Sequence, residues 1–144
     1  MFGFRDPGYG QSATVIGVVL EASIRYIVDD VQKAIRFYTE MLGFEVDMHP
    51  APGFAALSGN GLKLLLNAPG AGGAGTAGGS PQPGGWNRFQ LTVDDLDETL
   101  SGLRDSGASF RGDLVVGNGG RQILLEDPSG NLIELFEPEI LRAR

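Results

Sequence analysis

Cysteine is absent from the 144 residues, and histidine occurs once, at His49. The first absence removes disulfide frameworks, thiolate zinc sites and thiol nucleophiles. The second removes any mechanism that needs two imidazoles or a Cys/His pair. Basic residues are scarce too: 11 Lys+Arg stand against 18 Asp+Glu, a formal charge of −7. Nucleic acid needs a basic surface to neutralise phosphates, so it is not an expected partner. Long apolar runs are also missing. Residues 15–20, interrupted by Gly17, fall far short of the roughly 20 residues that span a bilayer. Residues 1–13 combine Arg5 with Asp6, Pro7 and three glycines. No signal peptide is read there, no membrane partner is expected, and the expected location is the cytoplasm.

What the chain has in excess is glycine, 23 residues alongside 8 prolines. The length fits one domain and suffices for a core without covalent staples. Along it runs an internal repeat. Ile27-Val28-Asp29-Asp30-Val31 returns 65 residues later as Thr92-Val93-Asp94-Asp95-Leu96. Before the first copy Ile24, Tyr26 and Val28 alternate with Ser23, Arg25 and Ile27; before the second Phe89, Leu91 and Val93 alternate with Arg88, Gln90 and Thr92. Period two predicts strands with one apolar face. After each Asp-Asp the spacing turns helical. Val31, Ala34, Ile35, Tyr38, Met41 and Leu42 form one stripe, stopped by Gly43; Leu96, Leu100 and Leu103 form the other, stopped by Gly107. The Asp-Asp pairs read as helix caps rather than catalytic carboxylates, because a side-chain oxygen there satisfies free N–H groups.

Three strand-like segments follow each helix, at 44–48, 54–57 and 62–66, and again at 109–114, 122–126 and 131–136. Asp127-Pro128-Ser129-Gly130 predicts a type I turn before the last of them. Between the halves, residues 68–85 hold eight glycines and three prolines. They predict a mobile linker, since they bring little apolar area to bury. Gly70, Gly72 and Gly75 match GxGxxG literally. Nucleotide binding is nevertheless rejected, because that motif works only when a helix N-terminus follows at once to hold the pyrophosphate.

These motifs resemble the vicinal-oxygen-chelate superfamily of glyoxalase I, extradiol dioxygenases and bleomycin-resistance proteins. The resemblance spans about residues 20–138 and rests on three stretches. They are Val28-Asp29-Asp30-Val31 leading to Phe37-Tyr38 and Leu42-Gly43-Phe44; Val93-Asp94-Asp95-Leu96; and Asp127-Pro128-Ser129-Gly130-Asn131-Leu132-Ile133-Glu134-Leu135. It implies an α+β fold, two βαβββ modules in one chain forming an open cup-shaped barrel. The expected division is an N-terminal extension (1–21), module one (22–67), a linker (68–85), module two (86–138) and a C-terminal tail (139–144).

In metal-dependent members, four strand positions carry His, Gln or Glu toward a metal. The matching first-strand positions here are Ser23 and Arg88, seven residues before Asp30 and Asp95. Residues 62–66 offer no carboxylate, so Glu134 alone fits the pattern. Gln90, Gln122 or Glu126 could join it, although no spacing requires this, and His49 lies outside the pattern as a lone surface histidine. One carboxylate is too few for a transition-metal site, and Arg88 sets a permanent cation where an imidazole belongs. No cofactor is therefore expected, the alternative being Fe, Ni, Zn or Mn held through Glu134. Arg88 and Glu134 could equally form an ion pair bracing the barrel or anchor a polar ligand.

The candidate ligand-binding residues are Ser23, Arg25, Phe54, Trp86, Arg88, Gln90, Thr92 and Gln122, with Glu134 the one catalytic candidate. By resemblance the expected function is metal-independent binding of a small organic molecule, in the cup or in the cleft of a homodimer, as in drug-sequestering members. The alternative is a lyase, isomerase or dioxygenase working through Glu134. The acidic chain favours a cationic ligand, whereas Arg25 and Arg88 favour an anionic or polar one, and the sequence leaves that conflict open.

Overall fold

The fold is that of a computed structural model in which residues 17, 18, 20–72, 75 and 77–142 are described. The first sixteen residues, and with them part of the apolar run at 15–20, lie outside the described residues.

Helix α1 (Val31–Leu42) starts where Asp30 leaves extended backbone and accepts the N–H of Lys33 at 3.0 Å. It ends at Gly43, whose φ of +74° is a left-handed cap that suits glycine. Helix α2 (Leu96–Asp105) repeats the design, with Asp95 accepting the Glu98 N–H at 3.0 Å. Asp97 and Glu98 complement the dipole of its first turn. Both aspartate pairs thus include a helix cap, as read from the sequence.

Each helix packs on its own four-stranded sheet. Sheet A has the order β1-β4-β3-β2, built from β1 (Ile24–Ile27), β2 (Glu45–Ala51), β3 (Phe54–Gly59) and β4 (Leu62–Asn67). Sheet B has the order β5-β8-β7-β6, built from β5 (Arg88–Thr92), β6 (Ser109–Val116), β7 (Gly120–Glu126) and β8 (Leu132–Pro138). In each sheet the first strand pairs parallel with the last, a pairing reached through the intervening helix. These are the two βαβββ modules. The sheets share no strand pairing, so the cup stays open. A helical turn, α3 (Glu139–Arg142), closes the described chain, and no described helix is long and apolar enough to cross a membrane.

Several boundaries move from their expected places. Phe44 precedes β2: its N–H bonds the Tyr38 carbonyl at 3.0 Å, completing the helix cap, and its ring enters the core. His49, expected after the second strand, lies within β2 and is exposed. Strands β7 and β8 each run two residues beyond their expected ends, because Gly120 and Arg121 pair with Pro138 and Glu137. Polar sequence had concealed the ladder.

One apolar core spans both modules. It joins Tyr26, Val28, Tyr38 and Phe44 of the first to Leu96, Leu100, Ile133 and Leu135 of the second. Tyr26 and Phe89 stack with ring centres 5.6 Å apart. The segment expected to be a mobile linker is tied at both ends. The Ala68 N–H bonds the Gly53 carbonyl at 2.9 Å, the Asn67 amide reaches the Ala71 carbonyl at 3.2 Å, and the Gly84 N–H bonds Asn131 Oδ1 at 2.8 Å. Backbone hydrogen bonds anchor it where apolar burial could not. Gly72 and Gly75, inside the GxGxxG match, are helical, the Gly75 N–H bonding the Ala71 carbonyl at 3.2 Å, and residues 77–85 form no helix.

Candidate functional site

Strand alternation decides which side chains are free to meet a ligand. Phe89, Leu91, Ile133, Leu135, Ile123 and Leu125 turn toward the helix side of sheet B, so their neighbours along each strand occupy the opposite, open face. Register then sets those neighbours beside one another. Gln90 stands opposite Glu134 and Arg88 opposite Leu132. Leu124, Gln122 and Glu126 stand opposite Glu134, Phe136 and Leu132.

Glu134 lies at the middle of this face and is only 8% exposed. Its Oε1 accepts from Arg88 Nε at 3.0 Å, and its Oε2 accepts from Gln90 Nε2 at 2.6 Å. A charge-assisted bond on each oxygen makes the burial of the carboxylate tolerable. Of the two possibilities read from the sequence, Arg88 and Glu134 do form the ion pair.

A second pair lies on the same face and was not legible in the sequence. Arg111 of β6 donates from Nε to Glu126 Oε2 at 2.8 Å, from Nη1 to the Gly85 carbonyl at 2.9 Å and from Nη2 to the Gly130 carbonyl at 3.0 Å. Its guanidinium sits 4.8 Å from the centre of the Trp86 ring, a cation–π contact. Trp86 remains 66% exposed. Only the register of β6 with β7, which sets Arg111 opposite Leu124, could have pointed to it. Within each of the pairs Arg88–Glu134 and Arg111–Glu126 the two charges therefore balance. Thr92 is exposed at the end of β5, and Gln122 is half-buried on β7. Gln90 and Thr92 also border a cleft of about 450 Å³ between β5 and the end of α1, with Met41, Leu42 and Asn60.

Sheet A presents a different face. Arg25 begins a row that continues with Leu65, Ala56 and Met48, and Ile27, Asn67 and Phe54 form the row beside it. The Arg25 guanidinium donates to Asn67 Oδ1. Among the described residues no carboxylate forms an ion pair with it. Ser23 is exposed, one residue ahead of β1. Further along the face, Lys63 lies 3.6 Å from Asp47, which accepts from the Ser58 hydroxyl at 2.9 Å.

The repeat maps these faces onto each other. Arg25 pairs with Leu65 as Gln90 pairs with Glu134, so leucine stands where module two has its carboxylate. The four metal-facing positions implied by the resemblance are thus Ser23, Leu65, Arg88 and Glu134. Among the described residues no three His, Cys, Asp or Glu side chains group so as to hold a metal ion. Glu126, which could have joined Glu134, is bonded to Arg111 instead. The residues present do not fit a transition metal, which needs three or four converging donors.

A third polar cluster sits where the modules meet. Asp127 Oδ2 accepts from the Tyr38 hydroxyl at 2.8 Å, and Asp127 Oδ1 accepts the N–H groups of Ser129 and Asn131 at 2.9 Å. The Asn131 amide donates to the Ile27 carbonyl at 2.9 Å, and the Ser129 hydroxyl accepts the Asp29 N–H at 2.9 Å. Burial pushes the Asp127 carboxyl above its ordinary value, against the opposing pull of these bonds. The turn motif is therefore a module clasp as well as a turn.

Two βαβββ modules fused through one core, each turning an open sheet face outward, define a paired-module, cup-forming protein. The chain belongs to the Glyoxalase/Bleomycin resistance protein/Dioxygenase superfamily, whose family model matches residues 21–135. Among solved structures it is similar to a member of that superfamily from Sphaerobacter thermophilus, with 28% identity, a TM-score of 0.65, and 83% of this chain and 98% of that one covered. It is similar also to an antibiotic binding protein from a Streptomyces species, with 26% identity, a TM-score of 0.59, and 86% and 100% covered. A lactoylglutathione lyase from Agrobacterium tumefaciens shares the fold at 21% identity and a TM-score of 0.64, with 81% and 92% covered. No curated protein matches the sequence.

Proposed function

We propose that this protein binds a small organic molecule against its open sheet faces without a metal, as a homodimer whose cleft completes the cup. The observation that carries this reading is the bonding of Glu134. A metal there would have to compete with Arg88 and Gln90, which already bond the two oxygens of the carboxylate, and would face the Arg88 cation across a buried site. The same bonds engage both oxygens, so a substrate proton would have to compete with them for the carboxylate. A binding role asks less: a shaped face with a few fixed polar groups and an aromatic platform, as Trp86 offers. The antibiotic binding protein among the structural relatives supports that direction.

The outer edge strands support the homodimer. Val46 and Met48 on β2 are 44% and 53% exposed, and Val115 and Val116 on β6 are 56% and 68% exposed. Apolar side chains on edges that no other described strand pairs invite a partner.

Metal analysis of protein purified without chelator, followed by thermal shift with added Fe, Ni, Zn and Mn ions, tests the metal-free reading. Substoichiometric metal and no ion-dependent rise in Tm are expected. Stoichiometric metal that raises Tm overturns it. Sedimentation velocity should give a dimer, and a monomer at every concentration would remove the cleft.

A further inference from the structure

The two open faces differ in how their charges are met, and that difference selects a ligand class. On sheet B each arginine faces a carboxylate: Arg88 meets Glu134 at 3.0 Å and Arg111 meets Glu126 at 2.8 Å. On sheet A, Lys63 is shared between Glu21 at 3.9 Å and Asp47 at 3.6 Å. Arg25 alone of these four cations is held by a neutral group, the side-chain oxygen of Asn67.

Asn67 is placed to do this and little else. It is completely buried, and its amide nitrogen is taken by the Ala71 carbonyl at 3.2 Å. That bond leaves the oxygen turned to Arg25. The start of the glycine-rich segment thus fixes an amide, and the amide fixes a guanidinium without cancelling its charge. Around Arg25 the face is apolar: Leu65, Ala56 and Met48 continue its row, and Ile27 and Phe54 flank Asn67 in the next. Ala56 is nearly buried, whereas Met48 is 53% exposed.

From this we infer that the open face of sheet A takes an organic anion, a carboxylate or similar acid on an apolar body, with Arg25 as its anchor and Asn67 as the residue that positions it. An uncompensated guanidinium on an apolar floor offers forked donors to an acid and area to the rest of the molecule. The net charge of −7 works against anions, so any preference for one must be local. The inference rests on the ligand-binding reading and adds the charge of the ligand.

Three probes with one ring system separate the two claims: 2-naphthoate, 2-naphthylmethanol and 2-naphthylmethylammonium, titrated calorimetrically into the full chain. Naphthoate should bind about tenfold more tightly than the alcohol, and more tightly still than the ammonium. Arg25 is exposed, so Arg25→Gln should fold and erase that margin, while Arg25→Lys keeps part of it. Asn67→Asp, which supplies a carboxylate to Arg25, should erase it with the guanidinium intact. Arg36→Gln, on the exposed side of α1, removes the same charge elsewhere and should leave the margin unchanged. Equal binding of all three probes, tighter binding of the ammonium, or an unaltered margin in Arg25→Gln overturns this inference alone. Failure of all three to bind overturns the ligand-binding reading with it.

Discussion

At the scale of single residues, polar groups in this protein are satisfied before they are available. Glu134 shows it on the open face, and Tyr38 with Asp127 shows it in the core. Removing Arg88 leaves a buried carboxylate with only Gln90. Arg88→Ala should therefore cost about 1–3 kcal/mol, and Glu134→Ala made on top of it should recover part of that loss, as read by urea unfolding of the four members of the cycle. If Arg88→Ala lowers stability while ligand binding stays intact, the pair is structural only. Two tyrosines set the alkaline limit. Burial pushes the Tyr26 hydroxyl up to about 12, and burial beside the Asp127 carboxylate pushes Tyr38 well above its usual value. A raised folded value means the unfolded chain loses its proton first. The stabilising contribution of Tyr26 is full below about pH 10 and lost as pH rises through about 12, and that of Tyr38 falls in the same direction as pH rises. Urea unfolding across that range should show falling stability, and Tyr26→Phe should flatten the slope; a slope unchanged by the substitution would locate the effect elsewhere. Asp127, raised in the same direction, contributes most at low pH and so opposes acid unfolding rather than adding to it. The identity of these residues was plain in the sequence, but their partners were not. Tyr38 and Asp127 are 89 positions apart, and no local pattern links them.

Among the elements, the helices were the most legible because their signals are local. A capping aspartate, an apolar stripe and a glycine stop all fall within one short window. Asp30→Ala and Asp95→Ala should each cost about 1 kcal/mol, measured as lowered unfolding midpoints, and the two losses should add, since the caps serve separate helices. Strand centres were equally legible, through alternation. Strand ends were not. Gly120 and Arg121 fall outside the strand expected at 122–126, yet they complete a ladder with Pro138 and Glu137. Arg121 is buried there against Glu137, whose carboxylate also takes the Leu96 N–H at the start of α2. A sheet borrows order from its neighbouring strand, and sequence read along one chain segment does not show the neighbour. The glycine-rich segment illustrates the same point. Its composition predicted freedom, and its backbone carbonyls and amides found partners at both ends.

For the whole molecule, stability depends on how two similar modules meet. Asn131 ties the modules and the linker together: it bonds the carbonyl of Ile27, the N–H of Gly84 and the carboxylate of Asp127. Asn131→Ala should cost about 2–3 kcal/mol, because it removes bonds to both modules and to the linker, one of them to the buried Asp127 carboxylate. Hydrogen exchange should show β1 and β8 losing protection together; loss confined to residues 127–131 would mean the clasp is local. By itself the sequence determined the two βαβββ modules, the caps, the family, and the shortage of metal ligands at Ser23, Arg88 and 62–66. Those features are written in adjacent residues, through periodicity, capping chemistry and residue type. The tertiary structure alone decided which charges cancel. Arg25 and Arg88 looked alike in the sequence, two cations on matching strands. Register gives Arg88 a carboxylate on the neighbouring strand and gives Arg25 a leucine, with a buried amide close by. Pairing across strands is a property of the folded sheet, and among the described residues it gives a carboxylate to one of the two arginines and not to the other.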